Sequence, residues 1–300
     1  MYALLMTDRI AVIGAGAIGG VLAQAACQAG HDVTLCVRTP ISSLSVIRDG
    51  EASQVPVRVT ADPGSLAGAA SWVLLTTKGY QTAGAVPWLR RLAGPGTVVV
   101  AVQNGVNHTE RLAPLRPPGP VLPALAYIAA RREAPGRVVH VSGRRVVVPH
   151  GETGSAFAAL LADGPVDVEL SPDFLTAAWR KLLTNVAASP VTALTGRTMD
   201  VLGSPGVPAL VHGLLTEAVA AGVAAGARLS ATDVADTLDF YTRFLPSAGT
   251  SMLEDRLAGR PTEHEEITGA VVRAGDRHGV DVPLNRAVLA LLAAASPAAR

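Results

Sequence analysis

A chain of 300 residues, 49% hydrophobic and only 16% charged, has apolar material for one large core or two ordinary ones and is not a disordered chain. Its formal net charge of +1 supplies no field that would steer it toward nucleic acid or a membrane surface, and neither is expected as a partner. Two cysteines, Cys27 and Cys36, offer no disulfide framework, and the seven scattered histidines include no HExxH motif, so no metal is expected.

The opening "MYALLMTDR" is too short for a targeting segment, with Met6 an alternative start to Met1, and a reducing cytoplasm suits the cysteine usage. Continuous apolar runs at 9–16, 32–38, 71–78 and 96–105 read as strands buried on both faces, alternating with helical stretches at 18–30, 65–70 and 81–92. Past residue 120, "VLPALAYIA", "RVVHVSG" and "RRVVVPHG" follow closely enough to suggest added antiparallel strands, and "VDVEL" at 166–170 is the last strand. From Ser171 the class changes. "SPDFLTAAWRKL" begins with Ser171 as an N-cap and Pro172 at the first helical position, and further helices are expected at 205–226, 231–245, 251–258, 262–278 and 284–295. The most apolar long stretch, 205–227, carries His212 and Glu217 and reads as a buried helix, not a membrane span.

"GAGAIG" at 14–19 follows the first strand and opens a helix, the context in which G-x-G-x-x-G binds a dinucleotide. Gly14 would make the tight turn, Gly16 would admit a pyrophosphate, and Gly19 would let helix and strand pack, with Ala15, Ala17 and Ile18 completing the cradle. The predicted fold is therefore α/β: an N-terminal Rossmann-type doubly wound sheet with added antiparallel strands (1–170), followed by an all-α C-terminal domain (171–300). Close packing of the two, with a ligand cleft between them, is expected. Past the second strand this chain has Arg38 and no acid; an arginine there suits a 2′-phosphate and favours NADPH over NADH, although a solvated arginine would look the same. "TTKGYQ" and "VQNGV" put Lys78 and Asn104 just past strand tips, where ligands gather in open α/β sheets and where ordinary loop residues also sit.

"WRKLLTNVAASP" at 179–190 reads as one helix stopped by Pro190, with Lys181, Asn185 and Ser189 in a row one turn apart. Farther on, Ser251 with Glu254, and Thr262 with Glu265, have capping-box spacing; Ser251 and Glu263 could be helix-start residues as easily as site residues.

"GAGAIGG", "TTKGYQ", "QNGV", "AWRKLLTN", "TSMLEDRLAGRPTE" and "HGVDVPLN" occur in an order that resembles the ketopantoate (2-dehydropantoate) reductase family from about residue 9 to 292. The resemblance implies an NADPH-dependent enzyme that reduces the 2-keto group of 2-dehydropantoate to give pantoate, and a homodimer stays open. It implies that Lys181 is the general acid, that Glu263 accepts a hydrogen bond from the substrate hydroxyl and helps hold the lysine, and that Asn104 orients the lysine and the nicotinamide end. Asn185 and Ser251 would bind the substrate's hydroxyl and carboxylate, Lys78 would lie near the cofactor, and Arg38 would take the 2′-phosphate. The chemistry agrees: hydride addition to a ketone builds charge on oxygen, and a positioned ammonium stabilises it and supplies the proton. The chain departs from the family pattern at Ser189, where asparagine is common, and at His264, Glu266 and Thr268, where the family has an aromatic and an asparagine before a glycine. Two alternatives stay open: a paralogue reducing another small keto acid or ketone with the same lysine, and a dinucleotide-binding sensor without catalysis.

Overall fold

The structure, a computed structural model, describes residues 7–297, so the candidate starts Met1 and Met6 lie outside it. Its contacts divide the chain into two units: one runs to Gln103 and from His108 to Phe174, the other comprises Asn104–Asn107 and everything from Leu175.

The first unit contains β1 (Arg9–Ile13), β2 (Asp32–Cys36), β3 (Leu44–Arg48), β4 (Glu51–Val55), β5 (Arg58–Thr60), β6 (Trp72–Leu75), β7 (Val98–Ala101), β8 (Val121–Pro123), β9 (Leu125–Ala134), β10 (Arg137–Pro149) and β11 (Asp167–Ser171). Its helices are α1 (Ala17–Gln28), α2 (Val86–Leu92), α3 (His108–Leu112) and α4 (Glu152–Leu160). Six strands form a sheet in the order β5-β2-β1-β6-β7-β8, with every pairing parallel. Period-two alternation splits its apolar runs between two cores. Ile10, Val12, Val33, Leu35 and Leu74 face one core with Val21 and Leu22 of α1, while Ala11, Ile13, Val73, Leu75 and Val99 face the other with Trp88 and Leu89 of α2. Each fully buried Val, Leu or Ile contributes about 1.5–3 kcal/mol, which is why both faces of these strands are apolar.

The second sheet runs β11-β10-β3-β4, with β9 on the far edge of β10. The runs "RVVHVSG" and "RRVVVPHG" are one strand, β10, whose first half pairs in parallel with β3 and whose second half pairs in parallel with β11. "VLP" is not antiparallel; as β8 it completes the parallel sheet. The β3–β4 hairpin was not anticipated. Asp49 and Gly50 take positive φ (52° and 83°) at its turn, the backbone an Asp-Gly hairpin requires. The expected helix at 65–70 is absent: only a 3₁₀ turn at Pro63–Ser65 forms, and Gly68 takes φ +101°. Ser171 ends β11 rather than capping a helix, which begins at Phe174.

The second unit is helical: α5 (Phe174–Val186), α6 (Ala188–Thr195), α7 (Val207–Ala224), α8 (Ala231–Thr242), α9 (Ser251–Leu257), α10 (Thr268–His278) and α11 (Pro283–Ala295). By length and composition α7 could cross a membrane; here its Val211, Leu214, Leu215 and Ala218 are buried in the core of this unit. Gly222 of α7 makes room for the Trp179 indole, since a Cβ there would stand 2.9 Å from the ring, and so seats the start of "WRKLL". Glu217 reaches the N-terminus of α11, where its carboxylate accepts from the N–H groups of Leu284 (2.8 Å) and Asn285 (2.9 Å), satisfying orphan donors at the positive end of the helix dipole. This contact accounts for the "VPLN" part of the last motif.

Candidate active site

In the first unit the glycine loop has the backbone its sequence demands. Gly14 takes φ +110°, and its N–H donates to the Cys36 carbonyl at 3.0 Å. A Cβ on Gly19 would collide with the Gly14 carbonyl oxygen, so only glycine lets α1 start beneath the turn. A Cβ on Gly16 would meet nothing within 4 Å, which leaves open space at the N-cap of α1, where backbone N–H groups and the helix dipole favour an anion. These residues fit a dinucleotide's pyrophosphate. Gly20, the fourth glycine of the run, lets α1 approach β10, where a Cβ would come 2.7 Å from Val138. Arg38 is exposed two residues past β2 and makes no hydrogen bond or ion pair among the described residues.

Two residues that the sequence reading passed over hold the strand tips. The Thr76 hydroxyl donates to the carbonyls of Ile13 (3.1 Å) and Gly14 (2.9 Å), fixing the glycine turn to the tip of β6. The Gln103 amide donates to the Thr77 carbonyl (2.9 Å) and the Thr82 hydroxyl (3.0 Å), and its oxygen accepts from Arg111 (3.2 Å). Buried His108 donates from Nε2 to the Gln103 carbonyl at 2.7 Å; burial holds its pKa down to about 4, so the ring is neutral. Their only sequence signal was adjacency to Lys78 and Asn104 in "TTK" and "VQN". Lys78 stands half-buried between Thr77 and the 3₁₀ turn Gly79–Ala85.

In the second unit, Lys181 and Asn185 are both half-buried and lie one turn apart on α5. Ser189 does not continue their row. Helical bonding breaks at Ala187, and Ser189 belongs to α6, where it is 3% exposed. Pro190 explains the break: it lacks an N–H for the Val186 carbonyl and its ring would clash there, yet a first helical turn tolerates it. Pro190 therefore starts a second helix instead of stopping the first.

Asn104 and Glu263, 159 residues apart, meet directly: the asparagine Nδ2 donates to Glu263 Oε2 at 3.0 Å. Val106, from the same four-residue segment as Asn104, packs against the helical core. Glu263 is only 4% exposed, deep for a carboxylate, and Glu266 (8%) and Thr268 (0%) are buried close behind it in the chain. Buried carboxylates are held by hydrogen bonds or cations, which marks this segment as more than a helix start. The expected capping box at Thr262 and Glu265 is absent. Residues 264–267 form a turn, α10 begins at Thr268, the Thr262 hydroxyl bonds His264 Nδ1 (2.9 Å), and Glu265 pairs with Arg273 (2.7 Å). Ser251 is not a cap either. Thr250 is the N-cap of α9, accepting from the Leu253 N–H at 3.2 Å, while exposed Ser251 sits at the first helical position. Thr250 also shares a 2.7 Å hydrogen bond with Thr192 of α6. The second unit thus brings Asn104 to Glu263 and aligns Lys181 with Asn185, while Ser189 and Ser251 stand on separate helices linked through Thr192 and Thr250. No cluster of His, Cys, Asp and Glu suited to a metal occurs among the described residues.

Comparison with known proteins gives consistent results. A family model described as Ketopantoate reductase PanE/ApbA matches residues 10–153, and one described as Ketopantoate reductase PanE/ApbA C terminal matches residues 173–296. A 2-dehydropantoate 2-reductase of Caulobacter vibrioides is 40% identical over 288 residues, 96% of this chain and 99% of its own. Among solved structures, a 2-dehydropantoate 2-reductase from Geobacter metallireducens is similar at a TM-score of 0.89 and 26% identity, covering 96% of this chain and 100% of that one. A dimeric ketopantoate reductase from Staphylococcus aureus shares the fold at a TM-score of 0.87 and 24% identity, covering 96% and 98%.

Proposed function

Because this chain belongs to the ketopantoate reductase family, we propose that it reduces the keto group of 2-dehydropantoate to the hydroxyl of pantoate, with NADPH as hydride donor and Lys181 as proton donor. The observation that carries the assignment is a count. Only two of the 25 lysine and arginine residues are lysines, Lys78 and Lys181. A guanidinium stays protonated whereas an ammonium can give up its proton, and of the two lysines it is Lys181 that lies one turn from Asn185 on α5.

NADPH, when bound, supplies the hydride. Gly14, Ala15, Gly16, Ala17, Ile18 and Gly19 would cradle the pyrophosphate, Arg38 would take the 2′-phosphate, and Lys78 would lie near the cofactor; residues 1–170, apart from the Asn104–Asn107 segment, would serve as the NADPH-binding domain and 171–300 as the substrate domain. Asn185, Ser189 and Ser251 bind the substrate's hydroxyl and carboxylate. Asn104 and Glu263 orient Lys181, whose Nζ donates to the keto oxygen while the keto carbon gains hydride. Donation would leave Lys181 neutral, and solvent would reprotonate it. This reading places the protein in the cytoplasm and leaves a homodimer open, the Staphylococcus aureus ketopantoate reductase being described as dimeric.

The test follows NADPH oxidation with a panel of 2-keto acids. Lys181→Ala should lose about 10²–10⁴-fold in kcat; equal rates in the two proteins would remove the lysine from its role. Arg38→Ala should weaken NADPH binding by roughly tenfold or more and leave NADH unchanged; equal weakening would refute the 2′-phosphate contact. Ser189 favours a second reading, in which another small keto acid is preferred. It is supported if 2-dehydropantoate is a poor substrate and Ser189→Asn improves it.

A further inference from the structure

The break between α5 and α6 frees backbone groups in a place with little water: Leu183, Ala187 and Ala188 are all buried. Buried carbonyl and N–H groups need partners. Tyr241, from α8, provides them. Its hydroxyl donates to the Leu183 carbonyl at 3.0 Å and accepts from the Ala188 N–H at 3.4 Å. The phenol is itself buried, and burial pushes its ionisation well above the usual tyrosine range, so it remains a neutral donor.

The two groups it joins belong to different helices. Leu183 lies between Lys181 and Asn185 on α5, and Ala188 immediately precedes Ser189 on α6. One hydroxyl therefore spans Ala187, the point at which the row of polar side chains is redirected. We infer that Tyr241 is a positioning residue for the reaction: its bridge sets the course on which α6 leaves α5, and with it the placement of Ser189 relative to Lys181 and Asn185. This inference rests on the proposed function, through the assignment of those three side chains to the substrate.

Tyr241→Phe keeps the ring and removes the bridge. The KM for the best 2-keto acid should rise about tenfold, as expected when two buried backbone groups lose their partner and the substrate groups shift. The dissociation constant of NADPH, read by fluorescence titration, should not change. A residue that serves only stability would lower the thermal midpoint and the active fraction, and hence kcat, with KM unmoved; that result overturns the inference. Amide exchange gives a second measurement that needs only the wild-type protein. The Ala188 N–H should be protected as strongly as its core neighbours, and fast exchange there would refute the bridge. Failure of the proposed function would look different: wild type and Tyr241→Phe would both turn over no 2-keto acid.

Discussion

In the first unit most candidate ligand contacts fall in one consecutive run of backbone, Gly14–Gly19, with Arg38 and Lys78 apart from it, whereas in the second they are side chains drawn from α5, α6, α9, the 104–107 segment and the turn before α10. The glycine loop works by what it lacks: a Cβ at Gly19 would strike the backbone, and Gly16 leaves space open. The helical site works by where helices stop. Ala187 ends one row of side chains, Thr250 caps α9 and so leaves the Ser251 hydroxyl uncommitted, and Glu263 stays outside α10. The first arrangement is sensitive to one added carbon, and the second to lost hydrogen bonds at helix ends.

The sharpest separation should come from two alanine variants of the loop. Gly19→Ala overpacks backbone and should cost about 3 kcal/mol or more of stability, seen as a lowered denaturant midpoint. Gly16→Ala should keep the wild-type midpoint and lose NADPH affinity, because its Cβ enters only the ligand's space. Equal midpoints for the two would break the distinction.

His108 tests a side-chain support in the first unit. Its native pKa of about 4 lies below the ordinary value near 6.5. The unfolded chain therefore gains a proton first as pH falls. Stability from this group is complete above pH 6.5 and declines toward pH 4, by up to roughly 3 kcal/mol. Denaturation at pH 7 and pH 4.5 should show this decline in wild type and much less of it in His108→Gln; identical slopes would contradict it. The smallest effect belongs to the second unit. Glu217→Ala should cost about 1 kcal/mol by uncapping α11 while leaving kcat unchanged, and a drop in kcat would show that this helix end also serves the site.

Legibility follows the same division. "RIAVIGAGAIG" announces strand, turn and helix because each glycine answers a local backbone demand, and local demands are written in neighbouring residues. The β3–β4 hairpin went unread although Asp49-Gly50 signals its turn, since β4 is exposed over four of its five residues and carries no apolar rhythm. In the helical unit, Lys181 and Asn185 were legible from their spacing within one helix. The departure of Ser189 was not, because Pro190 was read as a stop when it stands in a first turn. Thr250 and Ser251 are both good caps by composition, and only the hydrogen bond to Leu253 N–H chooses between them. No spacing rule could have paired Asn104 with Glu263.

That pairing has a consequence for dissecting the gene. The chain leaves the first unit at Asn104, returns to it at His108, and leaves again after Phe174. A fragment starting at Phe174 would hold every helix of the second unit and still lack the amide that donates to Glu263 Oε2, together with Val106 from its core. Cutting between the two family segments thus severs one folding unit, and a stable helical fragment should need residues 104–107 grafted back or Glu263 replaced by glutamine.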